Sequence, residues 1–99
     1  MIIIQSPVKI TDKAIAEIRE ILEKKKIPDD YGLRIGIKDA GSHAESHILG
    51  FDLKTDEDNE YSVGGIPVFI RKSDIRHLAG MTVDFYDGTD TRGFTFLKD

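Results

Sequence analysis

The stretch RIGIKDAGSHAESHILGF, residues Arg34 to Phe51, organises the reading of the whole chain. In its first part Ile35 and Ile37, with Leu33 just ahead, share one parity, while Arg34, Gly36 and Lys38 take the other. That alternation is the period of a half-buried strand, because successive side chains of extended backbone point to opposite faces. The last part alternates too, with Leu49, Phe51 and Leu53 apolar on one parity. Between the two lies DAGSHAESH, residues 39–47, a small and polar run holding two of the chain's three histidines. A loop carried between two buried strands is a place where a fold can display side chains on a rigid base.

Upstream, Ile2–Ile4 is β-branched and predicts a short first strand, broken at Ser6–Pro7. Thr11 then stands at an N-cap position, with Asp12 placed to favour the helix dipole. Ala14, Ile15, Ile18, Ile21 and Leu22 follow helical spacing as one apolar stripe, which predicts a helix from Thr11 to Lys26. Glu20 and Lys24 form an i,i+4 pair in the better orientation. Lys24–Lys26 suits the negative end of the helix as a solvated terminus in preference to an anion site, and Pro28 forbids continuation.

Downstream, residues Lys54 to Glu60 are all polar and include four carboxylates. The run lacks the glycine and ligand spacing of a calcium-binding loop and reads as a solvated turn. Tyr61 and Val63, Gly64–Gly65, then Ile66, Val68 and Ile70 predict a hairpin with a Gly-Gly turn. Pro67 places the second of these strands at an edge, or turns its nitrogen outward. Ser73 is read as the cap of a short helix containing Ile75 and Leu78, stopped at Gly80. Met81, Val83 and Phe85 alternate as another strand, Asp87–Asp90 is turn chemistry, and Phe94 and Phe96 form the last alternating pair. Residues 1–99 therefore predict one α+β domain, mostly β, with a mixed or antiparallel sheet system.

Composition narrows the function classes. Hydrophobic residues make up 39% and charged residues 32%, the balance of a soluble globular chain rather than a disordered one. The formal charge of −4, with no basic cluster beyond Lys24–Lys26, argues against a nucleic-acid partner. The apolar run Met1–Ile4 is too short for a signal peptide or a spanning helix, so the expectation is no membrane and a cytoplasmic protein. There is no cysteine, hence no disulfide pointing to secretion.

The organising stretch resembles the central segment of the A-type iron–sulfur carriers, the HesB/IscA-like family. That family reads Arg-apolar-Gly-apolar, a small or polar pair, Gly-Cys-Ser-Gly, two variable residues, Tyr, then a strand ending in Phe. Arg34, Gly36, Gly41, Leu49 and Phe51 fall on matching positions. The likeness continues through Gly65–Val68, Leu78–Gly80, Val83–Phe85 and Arg92–Phe96. It implies a HesB-like fold of two small packed sheets, mixed or antiparallel, flanked by one long and one short helix. It also implies a place in iron–sulfur cluster assembly, with assembly proteins or a sibling carrier as partners and a homodimer as the expected state.

The cluster ligands implied by the family are missing. Ser42 takes the loop-cysteine position, His43 and Ala44 replace Ser-Gly, and His47 takes the aromatic position. No Cys-Gly-Cys-Gly tail follows Phe96. Serine is a hard, barely acidic donor, whereas clusters are held by soft thiolates. The leading expectation is an accessory or regulatory scaffold that ligates no cluster itself, and a natural cysteine-less relative is favoured over an engineered Cys→Ser chain.

His43, Glu45 and His47 are the other candidate site. Spaced at i, i+2 and i+4, they share one face if the second strand starts as early as His43, and two imidazoles with a carboxylate suit zinc or iron. The same parity runs on into Leu49 and Phe51, so the competing and preferred reading makes His47 a packed imidazole in the space of the family's aromatic residue. His77 is read as packing or exposed surface. Neither a nucleophile elbow nor a phosphate loop is present, and no acid is placed to orient a histidine, so no enzyme is expected.

Overall fold

A computed structural model describes residues 5–38 and 46–98. Its elements run β1 (Lys9–Ile10), α1 (Asp12–Lys24), β2 (Tyr31–Lys38), β3 (Ser46–Leu53), β4 (Asp58–Val63), β5 (Ile66–Arg71), α2 (Ile75–Leu78), β6 (Met81–Asp87) and β7 (Arg92–Lys98). A 3-10 turn, Lys72–Asp74, leads into α2. The strands form a three-stranded sheet ordered β1-β6-β7 and a four-stranded sheet ordered β3-β2-β5-β4.

Both sheets are mixed. In the first, β1 runs parallel to β6, and β6 antiparallel to β7. In the second, β2 runs antiparallel to β3 and parallel to β5, which pairs antiparallel with β4. The alternation read in the organising stretch sets the register: Leu33, Ile35 and Ile37 stand opposite Phe51, Leu49 and His47. One face of the sheet is thereby apolar, and a one-residue slip would turn it to solvent.

The core joins both sheets and both helices. Ile18 of α1, Leu33 and Ile35 of β2, Val68 and Ile70 of β5, Leu78 of α2 and Val83 of β6 are fully buried within it. Helix α1 begins where Thr11 Oγ1 accepts the Ala14 N–H at 3.1 Å. The same hydroxyl donates to Asp84 at 2.7 Å, so the cap also ties the helix to β6. Its end is a Schellman arrangement: the Lys26 and Ile27 N–H groups donate to the Glu23 and Leu22 carbonyls, and Lys26 takes a left-handed φ of 52°. The exposed Glu20–Lys24 pair forms as its spacing predicts.

Several expectations are revised. The predicted strand at Ile2–Ile4 lies outside the described residues, while β1 forms at Lys9–Ile10, which alternation over two residues is too short to reveal. The Gly64–Gly65 turn forms with φ of 59° and 79°, the positive values a two-residue hairpin loop demands. However, β5 is an inner strand and not an edge; its ladder to β2 begins at Val68, one residue beyond Pro67. Ser73 lies within the 3-10 turn, and Asp74 is the N-cap residue of α2. The Asp74 carboxylate turns instead to β2, accepting the Ile37 N–H at 3.3 Å beyond the point where the β5 ladder ends.

Candidate functional site

The apolar parity of β3 has an unequal fate along its length. Leu49 and Phe51 are half-buried, and so is His47 at the start of the strand. Across from them β7 contributes Phe94 and Phe96, also half-buried. The two sheets meet where the His47 imidazole stacks on the Phe96 ring, with centroids 4.6 Å apart and planes 15° from parallel. Phe94 continues the aromatic wall and meets Phe85 edge-on at 5.0 Å. Ile18 and Ile21 of α1 close a third side, leaving a cleft of about 540 Å³ over Leu33. Of the residues lining it, His47 alone carries a side-chain heteroatom.

A second feature holds this region in place. Arg34 takes the off-face parity of β2, and its guanidinium grips Asp58 at both carboxylate oxygens, at 2.5 and 2.7 Å. It also donates to Asp52 at 3.3 Å and to the Leu53 carbonyl at 3.0 Å. The Thr55 N–H and hydroxyl complete the shell of Asp58, at 2.8 and 3.1 Å. Asp58 is 4% exposed, yet every buried side-chain nitrogen and oxygen among the described residues has a partner. The Arg34 hydrogen bond, reinforced by Thr55, holds the Asp58 carboxyl at a pKa of about 2 despite the opposing effect of burial. This clamp fixes the end of β3 and its turn into β4.

The acidic run predicts a solvated turn; Asp58 departs from that, since it opens β4 and is buried against Arg34. The signal for it lies in Arg34, a permanent charge set mid-strand between the apolar Leu33 and Ile35, which needs a nearby anion. Of the candidate metal residues, His43 and Glu45 lie outside the described residues, as does Ser42. His47 is described and packs on Phe96. His77 is exposed on α2. Among the described residues no group of three histidine, aspartate or glutamate side chains is gathered for a metal. The contribution of β7 to the site has no local sequence signal, because nothing near Phe96 marks His47 as its neighbour.

Comparison with known proteins places this geometry. The family described as "Iron-sulphur cluster biosynthesis" matches residues 7–98. An uncharacterised protein, y4vC of Sinorhizobium fredii, is 38% identical over 90 residues, spanning 90% of this chain and 84% of its own. The iron-sulfur cluster insertion protein ErpA of Marinobacter nauticus is 27% identical over 84 residues, covering 84% of this chain and 76% of its own. The crystal structure of Escherichia coli SufA, involved in biosynthesis of iron-sulfur clusters, superposes with a TM-score of 0.71 at 22% identity. That superposition covers 92% of this chain and 84% of SufA, and it establishes the shared fold.

Proposed function

Because the chain belongs to the iron–sulphur cluster biosynthesis family, we propose that it serves cluster assembly as an accessory or regulatory scaffold that does not itself ligate a cluster. The observation that carries this reading is the absence of any cysteine from a chain that keeps the family fold. A cluster requires soft, charged thiolate donors. Among the side chains lining the cleft between β3 and β7, the imidazole of His47 is the one donor group. These donors do not fit a cluster. The chain is then neither an enzyme nor the holder of a resident cofactor, and it acts through contact with assembly proteins or a sibling carrier.

Homodimerisation belongs to the same reading. The strand at Pro67 is covered by β4, and the sheet edges are β1 and β4 together with β3 and β7. Ile48 and Leu97 on those strands are 41% and 51% exposed, apolar surface of the kind that association covers. No helix among the described residues is long and apolar enough to cross a membrane. The scaffold reading carries with it a cytoplasmic location and, from the acidic net charge, no nucleic-acid partner.

The test has two arms. Anaerobic reconstitution with iron and sulfide should leave the isolated protein without a stable visible chromophore. Affinity capture from its native cells should recover iron–sulfur assembly components. A stoichiometric cluster on the isolated chain would overturn the non-ligating role, and capture that recovers no assembly component would overturn the scaffold role.

A further inference from the structure

We propose that the cleft between α1, β3 and β7 is a binding site for a small planar aromatic molecule carrying one hydrogen-bonding group. The inference stands on the shape and lining of the cleft and is independent of cluster chemistry. Three of the chain's five phenylalanines, Phe51, Phe94 and Phe96, line this one space, and His47 adds a fourth ring. Its volume of about 540 Å³ lies in the range of small-molecule sites, roughly 300–1,000 Å³. Such sites combine apolar and aromatic walls with a few polar groups that fix orientation. Here the walls are Ile18, Ile21, Leu49 and the three phenylalanines, and the polar side chain is the His47 imidazole.

Aromatic chemistry is favoured over aliphatic by the arrangement of the rings. His47 and Phe96 already lie face to face, 15° from parallel. A flat π-system entering the cleft can stack offset on such a pair or meet Phe94 and Phe51 edge-on, both favourable for aromatic quadrupoles. A saturated ring of equal size gains burial without that term. The imidazole can donate to or accept from one polar substituent, which selects a phenol-like or heteroaromatic ligand over a plain hydrocarbon.

The probe is 2-naphthol, titrated into the full chain and followed by NMR of the His47, Phe94 and Phe96 rings. Saturable shifts confined to these rings are expected, with fully saturated decahydro-2-naphthol binding at least tenfold more weakly. Ile21→Trp, which fills the cleft from a half-buried helix position, should weaken 2-naphthol at least tenfold. His47→Phe keeps a ring and removes the hydrogen bond, so it should weaken 2-naphthol severalfold and leave naphthalene unchanged. If Ile21→Trp fails to fold, the His47→Phe comparison still decides. Absence of saturable shifts at millimolar 2-naphthol, equal binding of the saturated alcohol, or equal loss of both aromatic probes on His47→Phe would each overturn the proposal.

Discussion

Arg34 and Asp58 form a two-pronged ion pair in which the carboxylate side chain is wholly buried and the guanidinium 15% exposed. The two residues come from β2 and from the start of β4, and the pair gathers Asp52, Leu53 and Thr55 around it. Removing one member leaves a buried charge without its partner. Arg34→Met should therefore cost about 3 kcal/mol, the usual scale for breaking such a pair, measurable by urea unfolding. A loss below half that size would show that water or Thr55 can replace the guanidinium.

The same carboxylate makes stability depend on acid. The Asp58 pKa falls from an ordinary 3.8 to about 2 on folding, so the unfolded chain binds this proton more readily. The stabilisation is fully present above about pH 4 and is lost as pH falls through about 2, amounting to roughly 2 kcal/mol. Urea midpoints between pH 5 and pH 2 should drop accordingly. Asp58→Asn, weaker at pH 5, should lack this portion of the decline.

His47 separates packing from metal binding. If its role is to stack on Phe96, His47→Ala should cost about 1–3 kcal/mol, His47→Tyr far less, and His43→Ala almost nothing. Zinc or ferrous iron should leave all the melting temperatures unmoved. A metal-induced rise that vanishes in both the His43 and His47 alanine variants would instead establish the His43–Glu45–His47 site.

Lys26 occupies the left-handed position that ends α1. A side chain there is crowded by its own carbonyl, and glycine is not. Lys26→Gly is expected to raise stability by about 0.5–1 kcal/mol, seen as a higher melting temperature. No change, or a fall, would mean that the charge at the helix end outweighs the backbone relief.

Gly32 is held by contact rather than by conformation. A Cβ there would lie 2.6 Å from the Phe69 ring and 2.9 Å from the Pro67 carbonyl. The ring could swing, but the backbone carbonyl cannot withdraw without parting β5 from β2. Gly32→Ala should destabilise by about 1–3 kcal/mol. At Gly50 no atom lies within 4 Å of the same added carbon, and Gly50→Ala should be nearly silent by the same denaturation assay.

What the sequence disclosed was whatever its local periods encode. Leu33, Ile35 and Ile37, the helical stripe through Ile18 and the Gly64–Gly65 turn each announce themselves within a few residues, and the elements formed there. Pairings across long separations are silent in this respect. Nothing near Pro67 says that β2 will lie on one side and β4 on the other, and the acidic run around Asp58 looks solvated until Arg34 is brought to it. His47 was legible as an imidazole in an aromatic residue's place; that Phe96 is its stacking partner depends on two sheets meeting.

The parallel pairing of Lys9 and Ile10 with Thr82 and Val83 has a consequence for the order of events as the chain is made. β1 emerges early but pairs with β6, which is translated only after the four-stranded sheet is complete. The ladder of β6 needs β7 as well. Until then one face of α1 and the inner face of β2 have no second sheet to cover them. Synthesis thus passes through a stage in which core residues of α1 and β2 lack their cover, the period when a nascent chain is most open to aggregation and to chaperone capture.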